Sequence, residues 1–144
     1  MKDLQSSQIS GLESGIGQVD ELIQHAQAVL GEFSLSVPDL TAGSVGAALV
    51  TRQGHIYTGI CIDVTCGMGF CAEHAAVAEM LKARQTEIDM IVAVGEGVIL
   101  PPCGRCRELL VQVAASNLGT KVILPNKRIR LLRELLPDHW LITE

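Results

Sequence analysis

The sequence predicts an α/β fold, in which helices pack on a sheet that contains parallel strands. From residue 71 to residue 124, segments with the apolar pattern of a helix alternate with short apolar runs typical of strands. A pattern typical of a β-hairpin comes before them, and an amphipathic helix comes before the hairpin. A helix that connects two strands of one sheet commonly leaves those strands parallel. This order of elements therefore indicates parallel strands in addition to the hairpin.

The first predicted element is an amphipathic helix that ends near Gly31. Its apolar residues recur at steps of three and four, which is the helical period: Val19, Leu22, Ile23, Ala26, Val29 and Leu30. Residues 1–15 are rich in Ser, Gln and Gly and show no sustained period, so we expect a flexible N-terminal arm. Since 144 residues suffice for one buried core and are too few for two ordinary domains, residues 16–144 should form a single domain.

The hairpin and the later elements follow from local composition. Two segments rich in β-branched and small apolar residues, 45–51 and 55–62, flank Arg52-Gln53-Gly54, whose residues favour a turn. The predicted helix at 71–84 is apolar almost all round until Lys82, which indicates burial on most sides. The remaining predicted elements are a buried strand at 88–94, a loop at 95–102, a helix at 103–115, a strand at 121–124, a turn at 125–126, and a short helix at 130–136 that Pro137 ends.

Cys71 and Cys103 both stand where a predicted helix begins. When helices follow parallel strands, their N-termini emerge at the carboxyl edge of the sheet. The fold should therefore bring Cys71 and Cys103 together, although 32 positions separate them. Cys106 lies three residues after Cys103, so in a first helical turn both thiols face the same way.

These three thiols and one nearby carboxylate predict a hydrolytic zinc site. A catalytic Zn²⁺ takes three protein ligands and leaves its fourth position to water, whose pKa falls from ~15.7 to about 7. The predicted ligands are Cys71, Cys103 and Cys106. Glu73, two positions after the first ligand, can take a proton from the water and return it to a ring nitrogen and a leaving amine. The reaction that this arrangement suits is hydrolytic deamination of an amino-heterocycle.

The predicted ligand set carries an excess negative charge, and it leaves alternatives open. Three thiolates on Zn²⁺ give a net charge of minus one, which Arg105 or Arg107 is predicted to balance. One alternative is a closed structural site in which Cys66 supplies a fourth thiolate and no position remains for water. Another is a non-catalytic, zinc-stabilised scaffold or binding protein. For Glu73 alone, the alternative is an acid that the helix dipole favours in the first turn.

Composition favours a small-molecule substrate. With 11 basic and 16 acidic residues the net charge is -5, and aromatic residues make up 3% of the chain. Nucleic-acid binders need clustered Lys and Arg and stacking rings. Five cysteines without a secretory signal favour metal binding or catalysis over disulfides, and no run approaches the ~20 apolar residues of a membrane-spanning helix. We therefore expect a soluble cytoplasmic protein with no nucleic-acid or membrane partner.

The cysteine clusters also carry a family resemblance. Zinc base deaminases place Glu two positions after a His or Cys ligand and add Pro-Cys-x-x-Cys downstream. Cys71-Ala72-Glu73 and residues 102–106 form the three-cysteine version of this signature. The chain thus resembles the cytidine deaminase superfamily, and within its small tetrameric branch the blasticidin S deaminases. Further segments that carry the resemblance are Tyr57-Thr58-Gly59, Ile91-Val92-Ala93-Val94-Gly95 and Arg133-Glu134-Leu135-Leu136-Pro137.

This resemblance implies a fold, an assembly and an activity. The implied fold is a three-layer α/β/α structure around a five-stranded mixed sheet, usually assembled as a homotetramer with active sites near subunit interfaces. Cys71, Cys103 and Cys106 would bind zinc, and Glu73 would carry protons. The implied substrate is a free cytosine nucleoside or a nucleoside analogue, cytidine-like or blasticidin S-like, whose exocyclic amine leaves as ammonia.

The segment ahead of the first cysteine cluster bears on the substrate. Typical members of the family grip the ribose with an Asn-x-Glu-Asn stretch, whereas this chain has Ile60-Cys61-Ile62-Asp63, which argues against ordinary cytidine. Asp63 is a candidate contact for a substrate hydroxyl or amine, and a turn-capping role is the alternative. Phe70, Tyr57 and Trp140 are scarce aromatics that can stack on a heterocycle, and core packing is the alternative for each.

Overall fold

A mixed β-sheet lies at the centre of the fold. The computed structural model describes residues 15–141, and in this part of the chain the sheet has seven strands. They are β1 (Phe33–Ser34), β2 (Thr41–Thr51), β3 (Ile56–Asp63), β4 (Ile88–Gly95), β5 (Val98–Leu100), β6 (Lys121–Leu124) and β7 (Arg128–Leu131). The α-helices are α1 (Gly15–Val29), α2 (Ala72–Lys82), α3 (Gly104–Val113) and α4 (Leu132–Leu135), and short 3₁₀ turns cover Ala115–Gly119 and Pro125–Lys127.

The main strands lie in the order β3-β2-β4-β6-β7. β2 is antiparallel to both β3 and β4, β4 is parallel to β6, and β7 is antiparallel to β6. β3, β4 and β6 therefore run in one direction. The α/β class is confirmed, but the expected number of five strands is wrong. Two short strands raise the number from five to seven: β1 pairs with the beginning of β2, and β5 pairs with the end of β4. Strands of two or three residues are too short to show a period in the sequence.

Most predicted elements form close to their expected bounds. α2, β4 and α3 differ from the prediction by no more than two residues at either end, and β6 has the predicted bounds. The hairpin of β2 and β3 turns at residues 52–54. β2 is the longest strand of the described chain, since it begins at Thr41 rather than at residue 45.

Two predictions in the second half of the chain are wrong. The segment 95–102, expected as a loop, contains β5, which folds back on β4 after a turn in which Gly97 has a φ of 69°. Glycine adopts this left-handed conformation readily. The segment 130–136 is helical only at Leu132–Leu135, because Arg128–Leu131 pairs with β6 as an edge strand. Backbone pairing with a neighbouring strand overrides the local helical pattern here.

Two parts of the prediction concern the ends of the chain. The expected N-terminal arm lies outside the described residues except for Gly15, which begins α1. Residues 142–144 lie outside them as well. The division into an arm and a single domain therefore stays a prediction. Between residues 15 and 141, no helix has the length and apolar character that crossing a membrane requires.

Apolar side chains cover both faces of the sheet. Ala47 and Leu49 of β2 face α2 and α3, whereas Ala48 faces α1, as the alternation of a strand requires. The buried residues on the α1 side include Val19, Leu22, Ala26, Met90, Val92, Val94 and Ile123. Those on the opposite side include Ala76, Val77, Met80, Ile91, Leu110, Val111 and Val122. Helices thus cover the sheet from both sides, which confirms the expected three-layer α/β/α arrangement.

This topology places the beginnings of α2 and α3 side by side. α2 follows β3, and α3 follows β4 and the short β5. Because β3 and β4 run in one direction, both helices begin at the carboxyl edge of the sheet. Cys71 and Cys103 immediately precede these helices, and the two cysteines meet as the sequence predicted.

Candidate zinc centre and active site

Cys71 and Cys103 occupy the N-cap positions of α2 and α3. Both have an extended backbone, with φ/ψ of -72°/154° at Cys71 and -69°/168° at Cys103, and neither side chain forms a capping hydrogen bond. Their thiols are therefore free to turn toward each other. The partial positive charge at a helix N-terminus favours the thiolate form that a metal needs.

The sulfur atoms of three cysteines form one compact group. Cys103 Sγ lies 3.5 Å from Cys71 Sγ and 3.4 Å from Cys106 Sγ, and all three sulfurs lie within 4.8 Å of one another. A tetrahedral zinc ion with Zn–S bonds of ~2.3 Å places its sulfur ligands about 3.8 Å apart. The observed spacing is close to this value, so the three thiols fit zinc. Cys66, the fourth ligand of the closed alternative, is exposed and lies outside the group.

The three thiols differ in acidity. Burial raises the pKa of Cys71, and burial followed by the charge of Glu73 raises that of Cys106 strongly. Burial also acts on Cys103, but hydrogen bonds from Cys106 and Cys71 outweigh it and hold the pKa of Cys103 below its ordinary value. Zinc binds thiolates, so its binding must release the protons that these thiols still carry.

Glu73 is a buried acid beside this group. It lies in the first turn of α2, its exposed fraction is 5%, and it lines the cavity into which Cys71 and Cys103 open. Burying a carboxylate without a partner for its charge costs free energy, so a buried acid at a cavity indicates a functional role. Its place next to the thiols and the cavity is the one that a proton carrier requires.

A cavity of about 490 Å³ extends from the thiols along β3. Cys71, Glu73, Cys103 and Arg105 line one part of it. Two predicted substrate contacts, Asp63 and Phe70, also line it, together with apolar side chains that include Val45, Val64 and Leu100. The volume is in the range of small-molecule sites, which are mostly apolar with a few polar groups.

A polar network within the lining was not predicted. Ser44 Oγ donates to Asp63 Oδ2 over 3.1 Å and lies 3.2 Å from Cys61 Sγ. Cys61 Sγ also accepts a hydrogen bond from Val45 N and lies 3.4 Å from Asp63 Oδ2. Cys61 itself is a buried residue of β3. The signal for its place in the cavity was its spacing from Asp63, since residues two apart on a strand share a face.

Tyr57 and Trp140 are not among the residues that line the cavity. Tyr57 packs against the core on the α2 side, and its hydroxyl accepts a hydrogen bond from Gln85 Nε2. The Trp140 side chain is 65% exposed, and its backbone N–H donates to Glu108 Oε1. Within this chain, the structure thus brings Asp63 and Phe70, but not these two aromatics, to the cavity into which the thiols open.

The two candidate arginines differ in their surroundings. Arg105 is exposed and lines the cavity near the thiols. Arg107 donates from Nε to Pro102 O over 2.9 Å and from Nη1 to Leu135 O over 3.0 Å. Arg107 therefore connects the segment before Cys103 to the end of α4. The charge-balancing role of the two arginines stays a prediction.

The known proteins that this chain is similar to agree with a zinc-binding role for the thiol group. The family model described as the cytidine and deoxycytidylate deaminase zinc-binding region matches residues 19–120. A cytidine deaminase from Mycobacterium tuberculosis is 36% identical over 99 residues, which cover 67% of this chain and 72% of that protein. A Blasticidin-S deaminase from Bacillus cereus is 34% identical over 80 residues, which cover 49% of this chain and 57% of that protein.

The fold is shared with solved structures of cytidine deaminases. The crystal structure of a cytidine deaminase from Burkholderia pseudomallei matches with a TM-score of 0.68 and 28% identity over 84% of this chain and 98% of that chain. The family match covers most of the chain and includes the three thiols and Glu73. The chain therefore belongs to the cytidine and deoxycytidylate deaminase family and is a zinc-dependent hydrolase.

Proposed function

We propose that this protein removes the exocyclic amine of a free cytosine nucleoside or a nucleoside analogue and releases ammonia. The observation that carries the proposal is the buried Glu73 beside three convergent thiols at a cavity large enough for a nucleoside. The similarity to a cytidine deaminase and to a Blasticidin-S deaminase supports this substrate class.

Glu73 performs the proton transfers in this proposal. Zinc, held by Cys71, Cys103 and Cys106, supplies a position at which water becomes a nucleophile near neutral pH. The Glu73 carboxylate would take one proton from the attacking water and pass it to the ring nitrogen. It would then take the second proton, from the hydroxyl that the water leaves on the ring carbon, and pass it to the amine, which leaves as ammonia. Its burial keeps bulk water away from the carboxylate and fixes its direction on the first turn of α2.

Asp63 and Phe70 hold the substrate in this proposal. The bonds from Ser44 and Cys61 both reach Asp63 Oδ2, so Oδ1 is the atom offered to a hydroxyl or amine of the substrate. Phe70 immediately precedes Cys71 and supplies apolar surface for the ring near the thiols. A carboxylate accepts hydrogen bonds only, which favours substrates that present a donor at this end.

Replacing Glu73 by Gln tests the mechanism. Glu73→Gln should retain zinc and the fold and lose ammonia release by about 10²–10⁴-fold, since the amide cannot accept and return the proton. The matched control is Glu79→Gln, which changes an exposed acid on the same helix that contacts Lys82. Wild-type turnover in Glu73→Gln would contradict the mechanism.

An ammonia-release assay on the zinc-loaded protein tests the substrate. The panel contains cytidine, deoxycytidine, cytosine and blasticidin S. We expect release from at least one nucleoside or nucleoside analogue and less from free cytosine, which lacks the sugar hydroxyls that Asp63 would bind. A zinc-replete sample that releases ammonia from none of the panel would favour the non-catalytic zinc scaffold.

We propose that the chain assembles as a homotetramer with its cavities near subunit interfaces. Large apolar side chains remain exposed on the described chain: Phe33, Val37, Met68, Leu81, Val98, Ile129 and Trp140. Met68 lies between Gly67 and Gly69, which line the cavity, so an interface that covers Met68 would also border the site. Sedimentation equilibrium measures the assembly, and a monomer at micromolar concentration would contradict it.

The proposed compartment is the cytoplasm. All five cysteines are free thiols, and Cys66 and Cys103 are exposed. Cytoplasmic reductants keep such thiols reduced, whereas oxidising compartments favour disulfides. Fractionation of the source cells followed by immunodetection tests this location.

A further inference from the structure

We propose that His74 donates a hydrogen bond from Nδ1 to the sulfur of Cys106 and thereby stabilises this cysteine as a zinc ligand. His74 acts in this role as a positioning residue, since it works through Cys106. The inference rests on the zinc centre of the proposed function, but it concerns how the centre is held rather than which substrate is used.

The geometry around His74 carries the proposal. His74 Nδ1 lies 3.4 Å from Cys106 Sγ, within hydrogen-bonding distance for sulfur. The backbone N–H of His74 donates to Cys71 O over 3.0 Å, and the imidazole packs against Phe70 with ring centroids 6.4 Å apart. The backbone bond fixes His74 in the first turn of α2, and its imidazole lies between Phe70 and Cys106, so it links this turn to a ligand on α3.

The direction of the hydrogen bond follows from the chemistry of the ligand. A thiolate bound to a metal has no proton and can only accept a hydrogen bond. A neutral imidazole carries one N–H, and the partner of its nitrogens decides which nitrogen has it. With Cys106 as a thiolate, His74 must carry its proton on Nδ1.

Burial makes this donor important at Cys106. The Cys106 side chain is fully buried, so bulk water cannot solvate its charge, and a buried charge without partners is costly. Arg107 directs two of its donors to backbone carbonyls, and Arg105 is exposed. Glu73 also contacts Cys106 but carries negative charge when ionised, whereas His74 can offer this sulfur a neutral N–H donor.

Replacing zinc by cobalt tests the proposal, because the absorption spectrum then reports on the sulfur ligands. With Co²⁺ in place of zinc, the sulfur-to-cobalt charge-transfer bands report the electron density on the ligands. His74→Leu removes the donor, so the bands should move to longer wavelength, and zinc affinity measured by chelator competition should fall about 10–100-fold. The matched control is His25→Leu on α1, which changes a partly exposed histidine far along the chain from the ligands and should leave both readouts unchanged.

Two amide variants separate the hydrogen bond from packing. The amide nitrogen of Asn lies near the position of Nδ1, whereas that of Gln reaches the position of Nε2. His74→Asn should keep the wild-type bands, and His74→Gln should shift them as His74→Leu does. Bands and zinc affinity in His74→Leu equal to those of the wild type would overturn the proposal. If His74→Leu does not fold, the comparison of His74→Asn with His74→Gln tests the proposal instead. Equal band positions in these two variants would overturn the proposal.

These readouts are independent of turnover. If the bands shift as expected but no substrate is deaminated, the role of His74 stands and the proposed reaction fails. If substrates are deaminated and the bands do not move, the reaction stands and the role of His74 fails.

Discussion

Three of the four residues at positions 71–74, where α2 begins, differ in their chemistry and in what they contact. Cys71 supplies a sulfur to the thiol group, Glu73 presents a buried carboxylate to the cavity, and His74 contacts Cys106 on the neighbouring helix. Successive side chains of a helix point about 100° apart. Adjacent residues can therefore act on different sides of one metal, and the spacing in the sequence carries as much information as the residue types.

Removal of the central thiol should abolish metal binding. Cys103 Sγ lies between the other two sulfurs, at 3.5 Å and 3.4 Å. Cys103→Ala leaves two thiols, too few for a stable tetrahedral site, so zinc per chain measured by atomic emission should fall to near zero. Cys66→Ser, in the exposed loop, should keep one zinc per chain. Zinc loss in Cys66→Ser would instead favour the closed four-cysteine site.

At the scale of elements, Gly59 lets β3 approach α2 closely. A Cβ atom at this position would lie 2.5 Å from Ala75 Cβ and 2.7 Å from Ala72 O, and would also meet Ala76 N. Gly59→Ala must therefore push β3 and α2 apart, at a cost of about 1–3 kcal/mol in the free energy of unfolding. Urea denaturation measures this loss.

The control for Gly59 is another glycine with free space around it. Gly31→Ala adds a Cβ atom that meets nothing within 4 Å, so its urea midpoint should stay close to that of the wild type. Because α2 begins with the ligand segment, Gly59→Ala should also weaken zinc binding. A Gly59→Ala protein with wild-type stability would contradict the close approach.

The sequence predicted the elements whose signal is local and missed those set by tertiary pairing. The thiols of α2 and α3 could be placed together because alternating strands and helices determine the edge at which helices begin. β7 was missed because Ile129 and Arg130 form a strand only by pairing with β6. Asn117 was also missed, although it is fully buried, accepts from Ile88 N and donates to Leu110 O. In the sequence, a single Asn in a polar segment does not indicate that its side chain will join β4 to α3 by hydrogen bonds.

At the scale of the whole molecule, stability depends mainly on the sheet and its two apolar faces. One buried cluster lies between the sheet and α1, and another between the sheet and α2 and α3. Small metal-dependent domains unfold without zinc because they lack such a core. The zinc centre lies at one edge of this sheet and adds to a fold that is already covered on both sides.

Zinc removal should therefore lower the stability of this protein without unfolding it. The chelated protein should keep its far-ultraviolet circular dichroism spectrum, because both apolar clusters remain. A ligand at 100 times its Kd stabilises the native state by ~2.7 kcal/mol, which corresponds to roughly 10 °C in Tm for a chain of this size. Added zinc should raise the Tm of the wild type by about this amount and leave that of Cys71→Ala unchanged. A chelated wild type with the spectrum of an unfolded chain would show that the metal, rather than the apolar core, determines the fold.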